Sequence, residues 1–128
     1  MTRAVWLIGG LRTSFGVIMV AAPSRFARAL GTDSVTARRT GWLGRMIGVR
    51  ELALGLGCLD AVRRGDDPRP WLVAHTLSDT GDAATLLEAL RRGRVSQLPA
   101  VLTIAFAVSG VGAQLALVRR LSSPAVRV

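Results

Sequence analysis

The sequence predicts an all-α fold: a four-helix transmembrane bundle with a short interfacial helix after the first span. Three observations predict it. Four apolar runs recur along the 128 residues, each close to the ~20 residues of helix that cross a bilayer. Arginine pairs, Arg38-Arg39, Arg63-Arg64, Arg91-Arg92 and Arg119-Arg120, stand at the ends of those runs, as in membrane-flanking loops. The last run, LPAVLTIAFAVSGVGAQLALV, is interrupted only by Thr103, Ser109 and Gln114. A helix of a soluble bundle would show a polar face over about half its circumference.

The first run, Val5–Ala22, ends before Pro23, which cannot continue a helix. Its position and the Ala21-Ala22 pair suit a signal peptide. Arg12 interrupts the apolar stretch, however, and the later runs are equally apolar, so an uncleaved span is expected. In the following PSRFARALG, Ser24 is the expected N-cap, Phe26 and Leu30 share a face, and Gly31 stops the turn. This segment is the interfacial helix, with Arg25 and Arg28 toward headgroups. TDSVTARRT reads as a loop.

The second and third runs, Trp42–Val62 and Pro70–Leu90, open on Trp42 and Trp71, whose amphipathic rings favour the membrane interface. Pro70, and Pro99 in the fourth run (Leu98–Val118), fall in first helical turns, where a missing N–H is tolerated. RRGDDPRP and RRGRVSQ are short polar turns, so neighbouring spans run antiparallel and both termini share a side. Arginines divide evenly between the two sides, and the positive-inside rule gives no orientation.

Composition agrees. The apolar fraction is 50% and mean hydropathy +0.39, the former at or above the ~45–50% apolar content of soluble domains. The length suits one domain over 1–128. A formal charge of +9, carried entirely by arginine, can signal nucleic-acid binding. Here the arginines cluster at run ends without interleaved aromatics, so no nucleic-acid partner is expected. Cys58 is the sole cysteine and excludes an intrachain disulfide.

Helices in lipid pack through small residues. Gly9, Thr13 and Gly16 line the first run; Gly44, Gly48 and Gly55 the second; Ala105, Ser109, Gly112 and Ala116 the fourth.

The midplane carries the chemistry. Arg12, the adjacent Arg50 and Glu51, and Asp79 stand near the middles of three runs, with His75 and Asp82 about one turn either side of Asp79. A charge at that depth costs ~2.5–3.5 kcal/mol on insertion scales, so five unpaired would cost about 12–18 kcal/mol, more than a typical domain's net stability. They are therefore expected to pair as a buried network of Arg12, Arg50, Glu51, Asp79 and Asp82. His75, Asp79 and Asp82 share one helix face, which puts His75 nearby. Asp60 and Glu88 lie near run ends and are expected to pair with Arg63-Arg64 and Arg91-Arg92.

Structural glue is the first reading of the network. A proton- or cation-linked carrier, or an anion- or lipid-binding pocket, are the alternatives. A di-metal site would repeat Glu-x-x-His on two helices, and His75 is the only histidine; no metal or cofactor is expected. Ser78 beside Asp79 lacks a Gly-x-Ser-x-Gly setting, and no catalytic set is complete. The expected function is a non-enzymatic accessory subunit. Its partners would be membrane lipids and other membrane subunits or further copies of itself.

RMIGVRELALGLGCL (45–59) and PWLVAHTLSDTGDAATLLEAL (70–90) resemble a group of small bacterial membrane proteins of the domain-of-unknown-function 4267 type. The matching positions are Arg45, Gly48, Arg50 and Glu51 in the second run, and Asp79 and Asp82 in the third. Ser78 and His75 depart from the pattern, which favours Gly and Arg there. The resemblance implies a four-helix fold in the bacterial inner membrane and no activity.

Overall fold

The computed structural model describes residues 2–123. Among them every regular element is helical: α1 (Thr2–Ala21), α2 (Pro23–Ala29), α3 (Ser34–Arg39), α4 (Gly41–Arg64), α5 (Arg69–Arg91) and α6 (Gln97–Ser122). The four long helices cover the four apolar runs, save Ala22 at the end of the first, and extend each by a few residues. Only two of them, α1 from Arg3 to Ala21 and α6 from Gln97 to Ser122, are long and apolar enough to cross a membrane. The expectation of four such runs is corrected here. Arg45, Arg50, Glu51 and Asp60 in α4, and His75, Asp79, Asp82 and Glu88 in α5, lower the apolar character of the middle helices.

The connection from α1 to α4 also differs from expectation. Pro23 itself opens α2, with Ala22 at the N-cap and no side-chain cap, so Ser24 lies inside the helix. TDSVTARRT is not a loop. Asp33 caps α3 by accepting from the Val35 and Thr36 N–H groups at 2.9 and 3.0 Å, satisfying two donors that a helix start leaves free. Gly31 terminates α2 at φ +88°. Thr32 N–H bonds Ala27 O and Gly31 N–H bonds Arg28 O, the Schellman pattern that a left-handed glycine permits. Phe26 packs edge-on against Phe15, ring centroids 5.8 Å apart, and folds α2 back on α1.

Residue pairings along the helices give an up-down order. Gly9 meets Gly55, Gly16 meets Gly48 and Pro23 meets Gly44, so α1 and α4 are antiparallel. A Cβ on Gly55 would stand 2.7 Å from the Thr13 backbone N and 2.8 Å from Gly9 O; only glycine lets the two backbones approach this closely. α5 and α6 form the second intimate antiparallel pair. Between the pairs, backbones approach less, and side chains close the seam. Trp71 of α5 lies over Gly57 of α4. Val5, Cys58, Leu72 and Leu117, one from each long helix, form a buried apolar cluster at this end.

The small residues of α6 face the other way. Ala105, Ser109, Gly112 and Ala116 are all exposed, and a Cβ on Gly112 would meet nothing within 4 Å. Periodicity placed them on one face. The polar partner that α6 needs for Gln114, itself 4% exposed, sets which face turns inward.

Candidate functional site

The close α1–α4 contact builds the site. Arg12 lies between Gly9 and Gly16, and Glu51 between Gly48 and Gly55, on the two faces that meet. Arg12 Nη1 donates to Glu51 and Nη2 donates to Asp79 of α5. This guanidinium therefore ties three helices together. Its side chain is 10% exposed, and those of Glu51 and Asp79 are 6% and 16%.

A second, more open ion pair stands beside it. Arg50 donates to both oxygens of Asp82, at 3.1 and 2.5 Å, in the bidentate geometry suited to a guanidinium. It also donates to Glu51 at 3.2 Å. The Arg50 and Asp82 side chains are 39% and 47% exposed. The five charged residues thus form one connected chain, Asp79–Arg12–Glu51–Arg50–Asp82, dry at one end and open at the other.

His75 is fully buried, but its ring stays outside that chain. Nε2 lies 3.1 Å from the Leu54 carbonyl, which can only accept, so Nε2 carries a proton. Its backbone oxygen accepts from Arg12 at 3.4 Å. Nδ1 has no partner among the described residues.

Three participants escaped the sequence reading. Gln114 of α6 donates to Asp79 Oδ2 at 2.8 Å, and Thr76 reaches Gln114 Oε1 at 3.0 Å. The Leu54 carbonyl receives His75. Gln114 left a signal: it is the sole long polar side chain in the last apolar run. Thr76 and Leu54 left none, because the one resembles the helix's other threonines and the other acts through its backbone.

At the helix ends, Asp60 pairs with Arg63 at 3.1 Å and with Arg64 at 2.5 Å. Glu88 pairs with Arg92 at 2.5 Å, not with Arg91. In the α4–α5 turn, hydrogen bonds from Arg69 hold the Asp67 carboxyl below its ordinary pKa.

The electrostatics divide along the seam. The α1–α4 pair contributes Arg12, Arg50 and Glu51, a formal +1. The α5–α6 pair contributes Asp79 and Asp82, a formal −2. The halves attract, and the whole carries one excess negative charge with His75 neutral. Such an arrangement can fix the register of two helix pairs, or take up one cation or proton. Among the described residues no group of three His, Cys, Asp or Glu side chains is placed to hold a metal ion.

Comparison with family models, curated proteins and solved structures finds no match to this chain.

Proposed function

We propose that all four long helices span the bacterial cytoplasmic membrane, and that the protein is a non-enzymatic accessory subunit which docks on other membrane helices. Embedding is supported by the outward residues of the middle helices. Trp42, Met46, Val49 and Leu56 of α4, and Val73 and Leu77 of α5, are exposed over more than half of their surface, while the midplane charges of the same helices pair across the seam. A charged helix of this kind is compatible with lipid when its ionisable groups pair internally.

The observation that carries the docking reading is the outer face of α6. The track Ala105, Ser109, Gly112 and Ala116 is exposed, with Phe106 beside it at 78% exposure. In lipid, a small-residue track lets a second helix approach closely, and van der Waals packing then drives association. The partner is another membrane subunit or a second copy of the chain.

Extraction in mild detergent followed by mass measurement tests this. A stoichiometric partner or homo-oligomer is expected, lost in Gly112→Leu. That substitution points into open space and leaves the bundle intact. A folded wild-type monomer without partners, in native membranes as in detergent, overturns the reading.

One observation favours a carrier instead: polar contacts hold much of the seam between the helix pairs, a joint that ion or proton uptake could loosen. Proton or cation flux in proteoliposomes, abolished by Asp79→Asn, would replace the accessory reading with this one.

A further inference from the structure

The charges at the two ends of the bundle are not alike. Ser96 N–H donates to Leu30 O at 2.9 Å, and a Cβ on Gly31 would collide with the Ser96 hydroxyl. This contact joins the α2–α3 connection to the α5–α6 turn, so both belong to one end. α2 brings Arg25 and Arg28 there, and α3 brings Arg38 and Arg39. Arg45 stands one turn into α4, and Arg91, Arg92 and Arg94 surround the α5–α6 turn. All eight are exposed. Among the described residues, Asp33 and Glu88 are the carboxylates at this end, which leaves a formal +6. Within the same residues the opposite end carries six arginines and three aspartates, a formal +3.

Pairing sharpens the contrast. At the opposite end Arg63, Arg64 and Arg69 are each ion-paired. Of the eight arginines, only Arg92 has a carboxylate partner among the described residues, Glu88, while Asp33 is engaged in capping α3. Like charges held on one surface repel each other, and an anionic partner relieves that repulsion. The surface is also part apolar. α3 buries Ala37 and exposes its other five residues, Val35 among them. Val35, Trp42 and Leu98 are 48%, 58% and 69% exposed. Arginines flanked by exposed apolar side chains, one of them an indole, suit the boundary between headgroups and acyl chains. A soluble polyanion would leave those apolar groups in water. We infer that the end of the bundle formed by α2, α3 and the α5–α6 turn binds the anionic phospholipid headgroups of the leaflet it meets, in preference to zwitterionic ones. Its premise is the membrane embedding proposed above; the α6 docking face plays no part in it.

The test uses the full chain in phosphatidylcholine vesicles with a trace of spin-labelled lipid, whose motionally restricted fraction reports association with the protein. Phosphatidylglycerol should be held more tightly than phosphatidylcholine. One arginine near an anionic surface gains ~1 kcal/mol, about fivefold in association. Arg25→Gln, Arg28→Gln, Arg38→Gln and Arg39→Gln combined should remove most of the preference, and because all four side chains are exposed the bundle stays folded. Tryptophan quenching locates the effect, since Trp42 stands at this end and Trp6 at the other. With Trp42 the sole tryptophan (Trp6→Phe, Trp71→Phe), brominated phosphatidylglycerol should quench more than brominated phosphatidylcholine. The margin should be narrower with Trp6 the sole tryptophan (Trp42→Phe, Trp71→Phe). Equal association of the two lipids, a preference that survives the four substitutions, or equal margins at Trp6 and Trp42 overturns the surface. So does an RNA oligonucleotide that relieves the Trp42 quenching, which marks a nucleic-acid surface instead. If the single-tryptophan chains do not fold, the spin-label comparison of wild type with the four-glutamine chain decides alone. A chain that fails to enter the vesicles overturns the embedding and this surface together, whereas entry without lipid preference overturns the surface alone.

Discussion

Arg12 of α1 donates to Asp79 of α5 across the seam between the two helix pairs. Because the same guanidinium also holds Glu51, Arg12→Leu leaves two carboxylates buried without their cation. Breaking a buried pair from one side costs ~3–5 kcal/mol. Reversible unfolding in mixed micelles should show a loss of that size. Asp79→Asn should cost less, since it removes one charge of the excess and an amide can still accept from Arg12.

Arg50→Leu separates two environments for the protein. Its partner Asp82 is 47% exposed. Facing water, such a pair contributes ~0–1 kcal/mol. At mid-bilayer depth, an unpaired carboxylate costs ~2.5–3.5 kcal/mol. In nanodiscs, Arg50→Leu should therefore lose several kcal/mol. An unchanged unfolding midpoint there would refute pairing of Arg50 with Asp82 in lipid.

These two arginines show what sequence can and cannot convey. Counting along the apolar runs places Arg12, Arg50, Glu51, Asp79 and Asp82 at one height, and the expense of charge at that height requires partners. Which carboxylate each arginine takes depends on helix rotation, which no single run encodes. Gln114 illustrates the same gap: its polarity was visible, but its reach to Asp79 required knowing which side of α6 turns inward. The α6 small-residue track is legible as one face, but spacing alone predicts packing within the bundle, and the structure turns that face outward. The missed helix α3 had a legible start, since an aspartate at position 33 caps two following N–H groups. Its brevity and its polar arginines hid it. For α4 and α5, four of the residues that lower their apolar character, Arg50, Glu51, Asp79 and Asp82, are the ones drawn into the network.

The Gly55 contact gives a packing prediction. A methyl there would stand 2.5 Å from Thr13 Oγ1 and 2.7 Å from Thr13 N, and backbone cannot move aside as a side chain can. Gly55→Ala should destabilise by ~1–3 kcal/mol through overpacking. Gly112→Ala, in open space, should stay within about 0.5 kcal/mol of wild type. Equal effects in a denaturation series would mean that α1 and α4 do not meet through their glycines.

The α3 cap predicts a local pH response. Hydrogen bonds from Thr36, and then from Val35, hold the Asp33 carboxyl below its ordinary pKa. The folded value is lowered, so the stabilisation is fully present above the unfolded carboxyl value, ~3.9. It is lost as pH falls through the lower folded value. Val35 and Thr36 amides should exchange faster in acid, after correction for intrinsic rates, and in Asp33→Ala at neutral pH. The α4 and α5 amides should be unaffected, since the hydrogen bonds that Asp33 accepts come from α3.

Topology decides between four crossings and two. If α1, α4, α5 and α6 all cross, the α4–α5 turn and the α5–α6 turn lie on opposite sides of the membrane. If only α1 and α6 cross, both turns lie on the same side. Asp66→Cys and Arg94→Cys place a reporter in each turn, and the native Cys58 is fully buried, so background labelling should be low. In intact spheroplasts, a membrane-impermeant maleimide should label one variant and reach the other only after permeabilisation. Equal labelling of both before permeabilisation, or of neither, would place α4 and α5 outside the bilayer. The Arg50–Asp82 pair would then face water, and the Arg50 substitution would carry the smaller, solvent-screened cost.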